Sequence, residues 1–104
     1  MKRYGSVTRV RADKLDYYKK LHANPWESVN ATIKECNISN YSIYYSNGYL
    51  FSYFEYTGDD FEKDMEKMAQ DPETQRWWKE TDPCQQPLTD KGQWLDMEEV
   101  YHLD

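Results

Sequence analysis

The fold this sequence predicts is α+β, a ferredoxin-like domain with elements in the order β-α-β-β-α-β. Three observations predict it. An alternating N-terminal run is followed by a long helical segment, two β-rich runs flank the dipeptide Asn47-Gly48, and helical spacing then returns before a last strand-like run. At 104 residues the chain is a single domain, 1–104, with room for one modest core. One antiparallel sheet with helices on one face leaves its other face bare. The pattern therefore also predicts a homodimer that closes two sheets against each other.

The first element, "RYGSVTRVR", alternates with Tyr4, Ser6, Thr8 and Val10 on one side and Val7 opposite. Asp13 can then cap a helix through "KLDYYKKLHANPWESVNATIKEC", where Leu15, Tyr18, Leu21, Val29 and Ile33 recur at helical spacing. Pro25 has no N–H for the carbonyl of Leu21, so this helix must kink or break near residues 21–25. In "ISNYSIYYSNGYLFSYFEY", Asn47 and Gly48 both tolerate positive φ and suit a type I′ hairpin, with strands over about 38–46 and 49–56. "DDFEKDMEKMAQ" places Phe61, Met65 and Met68 on one helical face behind Asp59 or Asp60 as a cap. Asp71-Pro72 opens a second short helix through "ETQRWWKET". "PCQQPLTDKG" reads as a polar loop, and "QWLDMEEVYHL" as a terminal strand.

Composition narrows the function. A mean hydropathy of -1.09 resembles that of disordered chains, but four Trp, ten Tyr and three Phe supply the large buried areas such chains lack. The net charge of -6 disfavours nucleic acid, whose binders need a basic stripe. Lys2, Arg3, Arg9 and Arg11 are too diluted along the first strand to form one. Cys36 and Cys84 form no CxxC motif, no apolar leader precedes them, and no run approaches a membrane span. Reduced thiols and a cytoplasmic location are expected.

Tyr18 and His22 are four residues apart and share one helix face, and Trp26 would continue that row beyond Pro25. Histidine gives and takes a proton near neutral pH, as general acid–base chemistry requires. A histidine on a half-buried helix face is more often structural. The helix break at Pro25, which can mark a site but can also simply end a helix, shifts the balance toward function. Adjacent Trp77 and Trp78 point about 100° apart on a helix, so both cannot lie wholly in the core. Together they offer a flat apolar wall to the C–H face of a sugar ring, with tyrosine hydroxyls as hydrogen-bonding partners. Tyr41, Ile43 and Tyr45 share one face of the hairpin strand and could line such a pocket, although aromatic cross-strand pairing also explains them. Glu55 interrupts an apolar strand and is a candidate second acid–base group, and His102 lies near the end of the chain. No zinc-ligand spacing, GxSxG, phosphate loop or EF-hand loop is present.

Tyr18 and His22 in "YYKKLHANPW", "NYSIYY" around Tyr41, the "RWW" of Trp77-Trp78 and the ending "MEEVYHL", in that order along the chain, resemble the L-rhamnose mutarotase family. The resemblance implies a dimeric α/β barrel that interconverts the α and β anomers of L-rhamnose without cofactor or metal. It assigns His22 as proton donor and Tyr18, Tyr41, Trp77 and Trp78 to the sugar. Pro25 directly before Trp26 and the short hairpin turn depart from the family pattern. Two other readings stay open on the residues alone: a cofactor-free oxygenase of the same barrel type, and a non-catalytic interaction module with interface tyrosines.

Overall fold

A computed structural model describes all 104 residues. Strand β1 (Lys2–Val10) runs through a curled antiparallel sheet and is joined along one edge by β3 (Tyr49–Tyr56), which pairs in turn with β2 (Ile38–Ser46). Two short strands share the other edge of β1: β4 (Gln85–Gln86) opposite Arg9 and Val10, and β5 (Leu95–Met97) opposite Gly5 to Val7. The order β2-β3-β1-β4 agrees with the predicted β-α-β-β-α-β arrangement. The hairpin turns at Asn47 (φ 51°) and Gly48 (φ 87°), because these two residues accept the left-handed backbone a tight turn needs.

Helices cover one face. The predicted first helix is broken in two, α1 (Leu15–Ala23) and α2 (Glu27–Glu35), preceded by a 3₁₀ turn at Ala12–Lys14. Asp13 lies inside that turn rather than capping, since Lys14 holds the cap position and no side chain closes it. Helix α3 (Phe61–Gln70) starts at Asp60, whose side chain accepts from the Lys63 N–H. Helix α4 (Pro72–Thr81) starts at Asp71, which accepts from Thr74 N–H at 2.9 Å and from its hydroxyl at 2.8 Å. Proline follows at the first helical position, where its missing N–H costs nothing.

Two expectations need correction. The segment read as a polar loop contains a 3₁₀ turn (Asp82–Cys84) and β4, so part of it joins the sheet. The terminal strand is shorter than predicted: only Leu95–Met97 pair, and residues 98–104 have no regular structure. β4 occupies that edge of β1 at Arg9 and Val10 and β5 pairs with Gly5 to Val7, while Lys2 to Tyr4 have no strand partner on that side.

The centre of the core is small: Val10, Tyr18, Leu50 and Cys84, with Leu15, Ile43 and Trp94 packed against them. Ser6, Thr8 and Val10 face the helices, as the alternation in β1 requires. Only 15 of 104 residues are buried, which leaves the uncovered sheet face rich in apolar side chains. There Val7, Phe51 and Tyr44 lie side by side across β1, β3 and β2, and Leu95 and Met97 extend the row.

Candidate functional site

Three local features aim side chains into the space between helices and sheet. Helix α1 ends at Asn24, whose N–H turns back to the Leu21 carbonyl. Pro25 cannot continue the helix, and the chain passes through extended backbone at Trp26, the cap residue of α2. Trp26 therefore leaves the Tyr18–His22 row and meets Trp77 edge-on, with ring centroids 5.2 Å apart. In β2 the pairing slips between Ser39 and Ser42, so Asn40 and Tyr41 together oppose Phe54. Asn40 absorbs this bulge at φ 49°. The slip turns Tyr41 toward the helices, edge-on to Phe54 at 5.7 Å. Helix α4, finally, buries Trp77 and leaves Trp78 36 % exposed, the division expected of adjacent helical residues.

The result is a cavity of about 1020 Å³ onto which Tyr18, His22, Tyr41, Trp77 and Trp78 all open. The structure thus brings the five predicted residues together. Ile43 and Tyr45 join them, as the shared strand face predicts, and Phe54 and Trp94 extend the aromatic wall.

His22 is half-buried, stacked on Tyr18 (centroids 4.3 Å) and edge-on to Trp77 (5.2 Å). Its Nδ1 lies 2.9 Å from the Tyr18 carbonyl oxygen, which can only accept. Nδ1 therefore carries the hydrogen, and in the neutral ring Nε2 keeps a free lone pair. Burial pushes the imidazole pKa below the ordinary 6.5, against the weaker opposing pull of that hydrogen bond. Burial raises the Tyr18 phenol far above its usual range, although Gln85 donates to its hydroxyl at 3.3 Å. Tyr41 is 45 % exposed overall, yet burial around its hydroxyl raises that pKa too. The Asp82 carboxyl, also on the cavity, is raised by burial.

The two reserve candidates lie elsewhere. Glu55 accepts from Asn40 Nδ2 and from the Tyr53 hydroxyl, each at 2.7 Å, and these bonds hold its pKa below the usual value. It points to the opposite sheet face from its neighbours Phe54 and Tyr56. His102 sits in the tail with Nε2 2.6 Å from Asp104 Oδ1. No three His, Cys, Asp or Glu side chains converge as a metal site would require. Sequence reasoning missed Gln85 and Gln93, which stand behind Tyr18, and the Ser6–Ser52 hydroxyl pair (2.5 Å) on the cavity floor. The serines could have been found by following the inward face of the paired strands. Nothing in the local pattern of the glutamines marks them.

A model of the L-rhamnose mutarotase family matches residues 3–103. The chain is 36 % identical to the L-rhamnose mutarotase of Oceanobacillus iheyensis, over all of both chains. The crystal structure of an L-rhamnose mutarotase from Formosa agariphila superimposes with a TM-score of 0.80 at 20 % identity, covering both chains completely. Tetracenomycin F2 cyclase from Streptomyces glaucescens, a polyketide cyclase, shares the fold at a TM-score of 0.71 and 14 % identity, covering all of this chain and 98 % of its own. Fold likeness alone thus spans different chemistries, and the match of sequence along the whole chain is what decides. The chain belongs to the L-rhamnose mutarotase family, isomerase-class enzymes acting on carbohydrates.

Proposed function

We propose that the chain interconverts the α and β anomers of L-rhamnose, or of a related 6-deoxy sugar, by proton transfer through His22 and without a cofactor. The observation that carries this reading is the free Nε2 lone pair of His22 in a cavity walled by Tyr18, Trp77 and Trp78. Ring opening of a hemiacetal needs a base for the O1 hydrogen while the C1–O5 electron pair withdraws to the ring oxygen, which takes up a proton. The neutral Nε2 serves as that base, and the imidazolium so formed hands the proton to the ring oxygen as the C1–O5 bond breaks. The aldehyde then turns about C1–C2, Nε2 takes the proton back from the O5 hydroxyl as O5 attacks the other face of the aldehyde, and the imidazolium returns it to O1. His22 is thus the proton donor in both halves. Positioned proton transfer of this kind contributes about 10²–10⁴-fold.

The aromatic walls suit the substrate. Trp77 and Trp78 give the C–H face of the ring and the 6-methyl group an apolar contact, and Tyr18 and Tyr41 bring hydroxyls to the sugar's own. NMR exchange spectroscopy on L-rhamnose tests the reading: anomer exchange should accelerate on adding the protein and stay accelerated in EDTA. Exchange at the spontaneous rate would overturn it.

A homodimer formed across the bare sheet face follows from the same reasoning. The apolar row of Val7, Phe51, Tyr44 and Leu95 has no helix over it within one chain, and a fold with only nine buried hydrophobic residues gains from a second copy. Light scattering should return twice the 12.6 kDa chain mass; a folded 12.6 kDa species at micromolar concentration would overturn the dimer. Cys36 and Cys84, both free and buried, suit the reducing cytoplasm. No helix is long and apolar enough to cross a membrane.

A further inference from the structure

Behind Tyr18 stands a short chain of side-chain amides. Gln93 Nε2 donates to the main-chain carbonyl of Asp82 at 3.3 Å and to Gln85 Oε1 at 3.0 Å. The main-chain carbonyl can only accept, so it fixes which end of the Gln93 amide faces it. That in turn fixes Gln85: its oxygen meets Gln93 and its NH₂ meets the Tyr18 hydroxyl, 3.3 Å away. Gln85 is 3 % exposed, and β4 pins its backbone opposite Val10, so the amide has no solvent alternative.

The consequence falls on one hydrogen. A tyrosine hydroxyl has one hydrogen to give, and an isolated one turns freely between donating and accepting. With Gln85 occupying a lone pair, the Tyr18 hydrogen is left for another acceptor, and Tyr18 opens onto the cavity. Building on the sugar reading above, we propose that Gln93 and Gln85 are positioning residues that commit the Tyr18 hydroxyl to donate to an acceptor oxygen of the bound sugar. A donor whose direction is set before binding needs no reorientation when charge develops on the ligand. It also discriminates against a ligand that offers only a hydrogen at that point.

The test reverses the relay without emptying it. In Gln85→Glu the carboxylate still accepts from Gln93, but it also accepts from Tyr18, so the phenol hydrogen turns inward. The first measurement uses no sugar: carbon NMR of protein labelled at tyrosine Cζ, with the Tyr18 signal assigned by its loss in Tyr18→Phe. That signal should move in Gln85→Glu as the phenol changes from acceptor to donor, and an unmoved signal overturns the relay. The second is sugar affinity. Gln85→Glu should weaken L-rhamnose binding by about threefold to tenfold, the worth of one uncharged hydrogen bond. Tyr18→Phe should do the same, and the double variant should lose no more than either alone. Additive losses would mean that Gln85 acts on the fold and not through Tyr18, and would overturn the proposal. If Gln85→Glu does not fold, Gln93→Met keeps the volume and removes the anchor, and the same two measurements apply. Should the native protein neither bind L-rhamnose nor exchange its anomers, the proposed function fails, while the Cζ shift still decides the relay.

Discussion

The chain's two histidines occupy opposite kinds of surroundings. His22 is half-buried between Tyr18 and Trp77, its one polar partner is a main-chain carbonyl, and burial lowers its pKa. His102 lies in a tail without regular structure, with Asp104 Oδ1 at 2.6 Å and Glu99 Oε1 at 4.0 Å. One carbonyl fixes a tautomer and leaves the second ring nitrogen free. Two carboxylates bring negative charge to the other ring and give it nothing to act on. What an imidazole can do is therefore set by what surrounds it, not by the imidazole itself.

The largest expected effect breaks this comparison directly. His22→Asn keeps a hydrogen-bonding group in the cavity and removes the one that titrates. Anomer exchange should fall by about 10²–10⁴-fold while sugar affinity stays within about tenfold. His102→Asn should leave exchange unchanged, and equal losses from both would dissolve the distinction.

The walls of the His22 site come next. Trp77 is 8 % exposed, so Trp77→Ala should destabilise the fold by about 3–5 kcal/mol in denaturant titrations. Trp78 is 36 % exposed at the cavity's edge. Trp78→Ala should weaken sugar binding by about 1–3 kcal/mol, a typical truncation at a binding hot spot, with a smaller effect on stability. Binding that ignores Trp78→Ala would make the tandem pair a packing feature only.

A pH series sharpens the contrast. Because burial lowers the His22 pKa, the neutral, active ring should persist below 6.5, and the acid limb of the exchange rate should lie on the acid side of that value. The sign for stability follows. The unfolded chain binds this proton more readily than the folded one, so His22 favours unfolding as pH falls through 6.5 and has no such effect above it. His22→Asn should remove that component from a plot of stability against pH. The smallest effect belongs to the tail: Glu99 accepts from Arg3 at 2.9 and 3.2 Å on the surface, and Glu99→Gln should cost under about 1 kcal/mol without altering exchange.

What could be read from the sequence follows from how local each signal is. The hairpin and the Asp71-Pro72 start of α4 are written in adjacent residues whose backbone preferences decide the outcome, and both stand where the sequence places them. The Tyr18–His22 row needed only helical spacing, and Pro25 announced the break. Gln85 was not legible, because its partner Tyr18 comes from a distant part of the chain and no local pattern marks a glutamine as buried. The length of the last strand was not legible either. It depends on which part of the β1 edge the chain reaches after β4, and no local pattern records that. Nor does "NYSIYY" reveal that Asn40 takes the extra residue of the bulge.

That bulge has a second effect. Strand β2 is the outermost strand of the sheet, and its far side carries main-chain groups that no neighbour in the chain engages. A long, regular, tyrosine-rich edge would invite copies to zip together into an endless sheet. The irregularity between Ser39 and Ser42, with Asn40 at φ 49°, interrupts the repeat that such stacking requires. The kink that turns Tyr41 inward thus also guards the chain's solubility, and straightening it should appear first as aggregation in storage.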